Sequence, residues 1–259
     1  MPGQVDTLPR YQTVTASPLL DAGPGKYRIG LITLSNDYVT ERDFINMRPC
    51  DDVVIYTSRV PNTPQCTVET LSEMAPHITT AAALLVPEGR LDVIAYSCTS
   101  GTAVMGFEKV RSLIQAARPG IACTTPITAS LEALSRFGAN RIAVLTPYID
   151  EVNSDIARYL EANGKTISAF TSFKFVDNES MARLTSESIY QAALEADRDD
   201  ADALFISCTA IRAVDVIEQI ERALGKPVVT AVQAMFWQSL RLAGFSDAVA
   251  DHGRLLRMA

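Results

Sequence analysis

The sequence predicts an α/β fold made of two pseudo-symmetric halves, each a doubly wound domain on a parallel sheet, with the active site between them. Three observations carry that expectation. Short apolar runs alternate with helical patterns from Arg28 onward. The runs are rich in Val and Ile without polar alternation, as strands buried on both faces require. The chain also repeats itself. Arg28-Ile29-Gly30-Leu31-Ile32-Thr33 matches Arg141-Ile142-Ala143-Val144-Leu145-Thr146, LDVIAYSCTSGTAV around Cys98 matches ADALFISCTAIRAV around Cys208, and 121–134 matches 227–240. Cys98 lies 70 residues after Arg28 and Cys208 lies 67 after Arg141, so the blocks keep both order and spacing.

The elements follow in order. Residues 1–26 carry Pro2, Pro9, Pro18 and Pro24 with Gly3, Gly23 and Gly25, and read as an extended arm. Strands are expected at 28–34, 52–57, 91–96, 121–123, 141–145, 166–175, 203–207 and 227–229. Helical spacing appears over 67–86, through Val68, Leu71, Met74, Ile78, Ala82 and Leu85. Pro76 inside that stretch either kinks the helix or opens a second one. Over 213–224, Val214, Ile217, Ile220 and Leu224 share a face that Asp215, Glu218 and Glu221 avoid. A last helix at 230–242 follows a strand equivalent to 121–124 and is expected to cross back onto the first half. The domains therefore read as 27–125 plus 226–259, and 126–225.

Composition narrows the function. With 259 residues, 47% of them hydrophobic and 20% charged, the chain has enough apolar surface for a real core. A net charge of −7 without a basic patch speaks against nucleic acid and against an anionic membrane surface. The longest strictly apolar run, 81–86, is far too short to span a bilayer. The first thirty residues have neither the cationic start nor the apolar stretch of a secretory leader, so a cytoplasmic protein is expected. Five cysteines at irregular spacing, with no CxxC pair, form neither a disulfide framework nor a zinc pattern. Only His77 and His252 are present, so acid–base chemistry falls to thiols or carboxylates. No metal site is expected.

Ser97-Cys98-Thr99 and Ser207-Cys208-Thr209 each close an apolar strand and open a helical segment. The carboxyl end of a strand in an open α/β sheet is where ligands bind. A thiol at a helix N-terminus meets free N–H groups, which should lower its pKa below the reference of about 8.5. The neighbouring hydroxyls, Thr99 and Thr209 among them, offer a cradle for a carboxylate. Two facing thiols form a symmetric acid–base pair: one takes a proton from carbon and the other returns one. Equally, one can add to a double bond while the other protonates the adduct. Cys50, Cys66 and Cys123 have no repeat partner; Cys50 and Cys66 read as loop residues and Cys123 as core.

These residues resemble the Asp/Glu racemase superfamily over about residues 27–245. Within it, the chain is most similar to the branch of maleate cis-trans isomerase, arylmalonate decarboxylase and the ectoine-utilization protein EutA, and to EutA above all. The resemblance implies an isomerase, either a racemase or epimerase or a cis-trans isomerase, acting on a small carboxylate without a cofactor. It implies that Cys98 adds to the substrate and that Cys208 serves as acid and base. Ser35 and Asn36 in LSND, Tyr148 in LTPY and Asn178 in VDNESMA are implied as substrate contacts, beside Thr99 and Thr209. It further implies a homodimer or larger homo-oligomer, and a step in ectoine or hydroxyectoine breakdown. Decarboxylation through one cysteine, or a two-lobed module that binds without turnover, stay open as alternatives. Around Asn36 the sequence is acidic, with Asp37, Glu41 and Asp43. An acidic pocket edge would suit an amino or amidine group better than a bare dicarboxylate. Pro61-Asn62-Thr63-Pro64 reads as a flap or as an ordinary turn.

Overall fold

The computed structural model describes residues 14–258; residues 1–13 of the expected arm lie outside them. Residues 14–26 are largely exposed and irregular. The first half runs β1 (Tyr27–Leu34), α1 (Thr40–Met47), β2 (Val53–Val60), α2 (Val68–Glu73), α3 (Ala75–Leu84), β3 (Val93–Tyr96), α4 (Thr99–Met105), α5 (Phe107–Ala117) and β4 (Ala122–Thr124). Then come α6 (Pro126–Arg136), β5 (Arg141–Thr146), α7 (Asp150–Ala162), β6 (Thr166–Ser172), α8 (Asn178–Ala182), α9 (Ser186–Ala196), β7 (Ala203–Ile206), α10 (Ile217–Leu224), β8 (Val228–Thr230) and α11 (Ala231–Leu242). Pro76 opens α3, a position where its missing N–H costs nothing.

The strands form two four-stranded sheets, ordered β2-β1-β3-β4 and β6-β5-β7-β8, and every pairing is parallel. Both sheets reverse direction of growth at the same place, between their first and third strands. That switch point is where loops part and leave a crevice at the carboxyl ends. The repeat extends to side chains. Asp92, just before β3, accepts the Arg28 N–H at 2.8 Å, and Asp202, just before β7, accepts the Arg141 N–H at 2.8 Å. Ile29, Ile32, Val93, Ile94 and Ala95 are fully buried in one sheet, as are Ile142, Val144, Leu204, Phe205 and Ile206 in the other.

The halves exchange helices. After β4, α6 packs against α11 and β8; after β8, α11 packs on α6, α1, β1, β3 and β4. Thr124 at the end of β4 donates to Gln238 of α11 at 2.5 Å, and Phe44 of α1 meets Phe236 edge-on at 4.9 Å. Thr125 and Thr230 start these two helices with matched capping boxes, to Thr128 and Gln233. The expected return of 226–259 to the first half needs correction. Residues 228–230 pair with β7 in the second sheet, and the chain crosses back only with α11.

Candidate active site

Equivalent strand ends position the two thiols. Cys98 follows β3 as the N-cap of α4, and its Sγ accepts the Gly101 N–H at 3.2 Å. A Cβ at position 101 would stand 2.8 Å from that sulfur, so glycine leaves the room the thiol occupies. Cys208 follows β7 with φ of 105°, a backbone region that residues with a side chain rarely adopt. Its Sγ accepts the Ala210 N–H at 3.2 Å, and Tyr148 lines the same cavity. The expectation that Cys208 opens a helix is corrected here. Residues 209–212 bend irregularly, a 3-10 turn occupies Ala213–Val216, and α10 starts only at Ile217.

One cavity between the halves is lined by Cys98, Cys208, Asn36, Thr99, Tyr148, Asn178 and Thr209, so seven of the eight residues singled out in the sequence meet there. Thr209 Oγ1 donates across the halves to the Ser97 carbonyl at 3.4 Å. Thr99 Oγ1 is buried without a partner, so it is free for a bound oxygen or nitrogen. Asn36 uses both ends of its amide on the 61–66 segment: Nδ2 donates to the Thr63 carbonyl at 3.1 Å, and Oδ1 accepts from Asn62 Nδ2 at 2.9 Å. Ser35 stands outside the cavity, exposed, because its hydroxyl accepts the Asn62 N–H at 3.0 Å and so anchors that same segment.

The 61–66 segment lies across the cleft and joins the second half. The Cys66 N–H donates to the Val176 carbonyl at 2.8 Å, and the Asn178 N–H donates to the Pro64 carbonyl at 3.2 Å. Gln65 and Asp177 form an antiparallel bridge. With this strap closed, the free space is ≈ 20 Å³, about what a single water needs. That space is smaller than a small carboxylate substrate.

Burial dominates the electrostatics. It pushes the thiols of both Cys98 and Cys208 up to about 12, against opposing pulls from the Gly101 N–H and Ser100 at Cys98 and from Tyr148 and the Ala210 N–H at Cys208. This corrects the expected fall below the ordinary thiol value: one or two N–H bonds do not offset removing the thiolate from water. The Tyr148 phenol is raised as well, first by burial and then by the neighbouring Cys208 thiol. Cys66 is a buried third thiol, pushed up to about 11, with its sulfur 3.8 Å from Ser100 Oγ. Ser100 Oγ is in turn 3.9 Å from Cys98 Sγ. Among the described residues no group of three or more His, Cys, Asp or Glu is arranged to hold a metal ion. No described helix is long and apolar enough to cross a membrane.

Cys66, Ser100, Asn62 and Gln65 line the cavity without having been assigned to it from the sequence. Ser100 had a signal, one residue past Thr99 in the duplicated motif. Cys66 had only its place shortly after β2, where the chain leaves another carboxyl strand end. Of the other cysteines, Cys50 is exposed, and Cys123 lies half-buried on β4.

Comparison with known proteins bears on this geometry. The profile of the arylmalonate decarboxylase family matches residues 64–256. The chain is 35% identical over 139 residues to arylmalonate decarboxylase of Bordetella bronchiseptica, covering 52% of this chain and 58% of that protein. It is 32% identical over 182 residues to maleate isomerase of Nocardia farcinica, covering 67% and 72%. Among solved structures it resembles a mutant Nocardia farcinica maleate cis-trans isomerase with a covalently bound succinylcysteine intermediate. That match has a TM-score of 0.81 at 25% identity, over 89% of this chain and 98% of the other.

Proposed function

Since the chain belongs to the arylmalonate decarboxylase family, we propose that it is a cofactor-independent isomerase acting on a small carboxylate through Cys98 and Cys208. The observation that carries this is the pair of thiols, delivered by equivalent strands into one cavity. A single-thiol reaction has no use for the second. Maleate isomerase relatives, one solved with a succinylcysteine intermediate, support a covalent route.

Along that route Cys98 first releases its thiol proton to solvent, and its thiolate forms a carbon–sulfur bond to one alkene carbon while Cys208 gives its proton to the other. The new carbon–carbon single bond rotates. The Cys208 thiolate then retakes the proton, the carbon–sulfur bond breaks to return the Cys98 thiolate, and that thiolate recovers its proton from solvent. In a racemase or epimerase the same pair acts without a covalent bond: one thiolate removes the α-proton and the opposite thiol delivers another. Tyr148 favours the ionised form of the Cys208 thiol. Thr99 and Thr209 lie beside the thiols, ready to hold the carboxylate.

The test is proton NMR in D₂O with maleate, amino acid enantiomers, hydantoins and an arylmalonate. Cys98→Ser and Cys208→Ser should each lower the rate at least about 100-fold with the fold retained. Full activity in either variant overturns the two-thiol reading. The 35% identity to an arylmalonate decarboxylase favours one alternative, decarboxylation with Cys208 as proton donor. In that case Cys98→Ser stays active and CO₂ is released.

A further inference from the structure

Three thiols line the cavity, and the chemistry proposed above uses two of them. The third, Cys66, ends the 61–66 strap and is buried. Its N–H donates to the Val176 carbonyl of the second half at 2.8 Å, while its sulfur lies 3.8 Å from Ser100 Oγ of the first half. Ser100 Oγ is also 3.9 Å from Cys98 Sγ. Cys66, Ser100 and Cys98 therefore form a file of buried polar groups, with one hydroxyl between two sulfurs.

Elsewhere in this protein, helical serines bond their own backbone. Ser72, Ser130, Ser154 and Ser239 each donate to the carbonyl four residues back, at 2.7 to 2.9 Å. Ser100 is the second residue of α4, so no helical carbonyl stands behind it. Among the described residues its hydroxyl reaches Cys66 and Cys98 and no other side chain or carbonyl. The repeat shows that the arrangement belongs to one thiol. Position 100 corresponds to Ala210 in the second copy of the motif, so Cys208 has no hydroxyl in the matching place.

A hydroxyl carries one proton and donates to one sulfur at a time. Burial pushes Cys66 up to about 11, so at neutral pH it is a thiol with an S–H to give. Once Cys98 is a thiolate, the favoured setting runs from Cys66 S–H to Ser100 Oγ and from Ser100 O–H to the Cys98 sulfur. A hydrogen bond to a charged acceptor is stronger than one to a neutral acceptor. A thiol at Cys66 thus fills the acceptor side of Ser100 and holds the hydroxyl proton on Cys98. A thiolate there would do the reverse, drawing that proton away and repelling the charge on Cys98.

We infer that Cys66 is a positioning residue for Cys98: acting through Ser100, it steers the one hydroxyl proton between them onto the Cys98 sulfur as that thiol ionises. This rests on the two-thiol reading for the reaction itself, but it concerns the ionisation of one thiol and is tested without turnover. No proton changes owner along the file. The Cys98 proton goes to solvent, and Cys66 and Ser100 keep theirs and redirect them. The residue whose N–H ties the strap to the second half thereby also acts on the nucleophile of the first.

The experiment labels the full chain with methyl methanethiosulfonate, a small neutral reagent, at low conversion, and mass spectrometry reads the rates at Cys98 and Cys208. The two thiols share one cavity, so their ratio cancels differences in access. Ser100→Ala should lower the Cys98-to-Cys208 ratio about tenfold, as for one pKa unit, and Cys66→Ala about threefold. Cys66→Ser, which keeps a proton to donate, should restore the ratio. Added to Ser100→Ala, Cys66→Ala should change the ratio no further, because its effect passes through the hydroxyl. An unchanged ratio in Cys66→Ala, an equal loss with and without Ser100, or a ratio in Cys66→Ser as low as in Cys66→Ala overturns the proposal. If Cys66→Ala does not fold, Cys66→Val, which fills the space without a proton to give, must show the same loss. Full turnover in Cys98→Ser would sink the two-thiol reading and leave the labelling ratio standing, so the two failures are separable.

Discussion

Cys98 and Cys208 occupy equivalent strand ends in unequal backbones. Cys98 is extended, with φ of −146°, whereas Cys208 is held at +105°. Strain of this kind persists only where the surroundings enforce it, and it clusters at sites that need a side chain aimed in one direction. The thiols share one property: burial raises both to about 12. Alkylation by iodoacetamide should therefore climb about tenfold per pH unit from pH 7 to 10 at each of them, with Cys50 labelled first. A rate that levels off near pH 8 at either site would show that burial does not control it. The duplicated motif made the position of these residues legible. Their ionisation was not legible, because it depends on how tightly the halves and the 61–66 strap close over them.

Eight strands are readable in the sequence because a strand buried on both faces is a short unbroken apolar run, and each run stands clear of its neighbours. Pro76 marks the start of α3 just as plainly. The stretch 213–224 shows what periodicity misses. Its apolar spacing is helical throughout, but the irregular chain after Cys208 leaves the first turn as 3-10, and α10 begins four residues late. The placement of β8 was missed for a different reason: a three-residue strand is identical in pattern wherever it pairs. α11 was expected to cross over, and it does so with Phe236 and Trp237 almost wholly buried. Phe236→Ala removes the edge-on partner of Phe44 and should cost about 3–5 kcal/mol in urea denaturation. A loss below 1 kcal/mol would mean that α11 is not needed to hold the first half.

At the scale of the molecule, a charged cluster ties the halves together. Arg42 of α1 reaches Asp43 and Asp215 with the same nitrogen, at 2.8 Å each, and Asp215 belongs to the 3-10 turn of the second half. Asp43 is wholly buried and one of its oxygens has no partner. Burial raises its pKa from 3.8 to about 7, despite Arg42. The folded state therefore binds that proton more tightly than the unfolded chain does. Its contribution to stability is fully present below about pH 4 and is lost as pH rises through about 7, by about 1.4 kcal/mol per pH unit at most. Asp43→Asn should flatten the stability profile between pH 4.5 and 7.5, read from urea midpoints. An unchanged slope would assign the pH dependence to other groups.

The exchanged helices also fix a schedule for synthesis. The ribosome releases the first sheet long before α11, the helix that covers part of it. Until α11 emerges, the nascent chain carries an uncovered apolar face around Phe44 and β4. Contacts that join residue 44 to residue 236 close a loop of nearly two hundred residues, and such closure is slow. The first half thus waits for a helix made after the second sheet is complete.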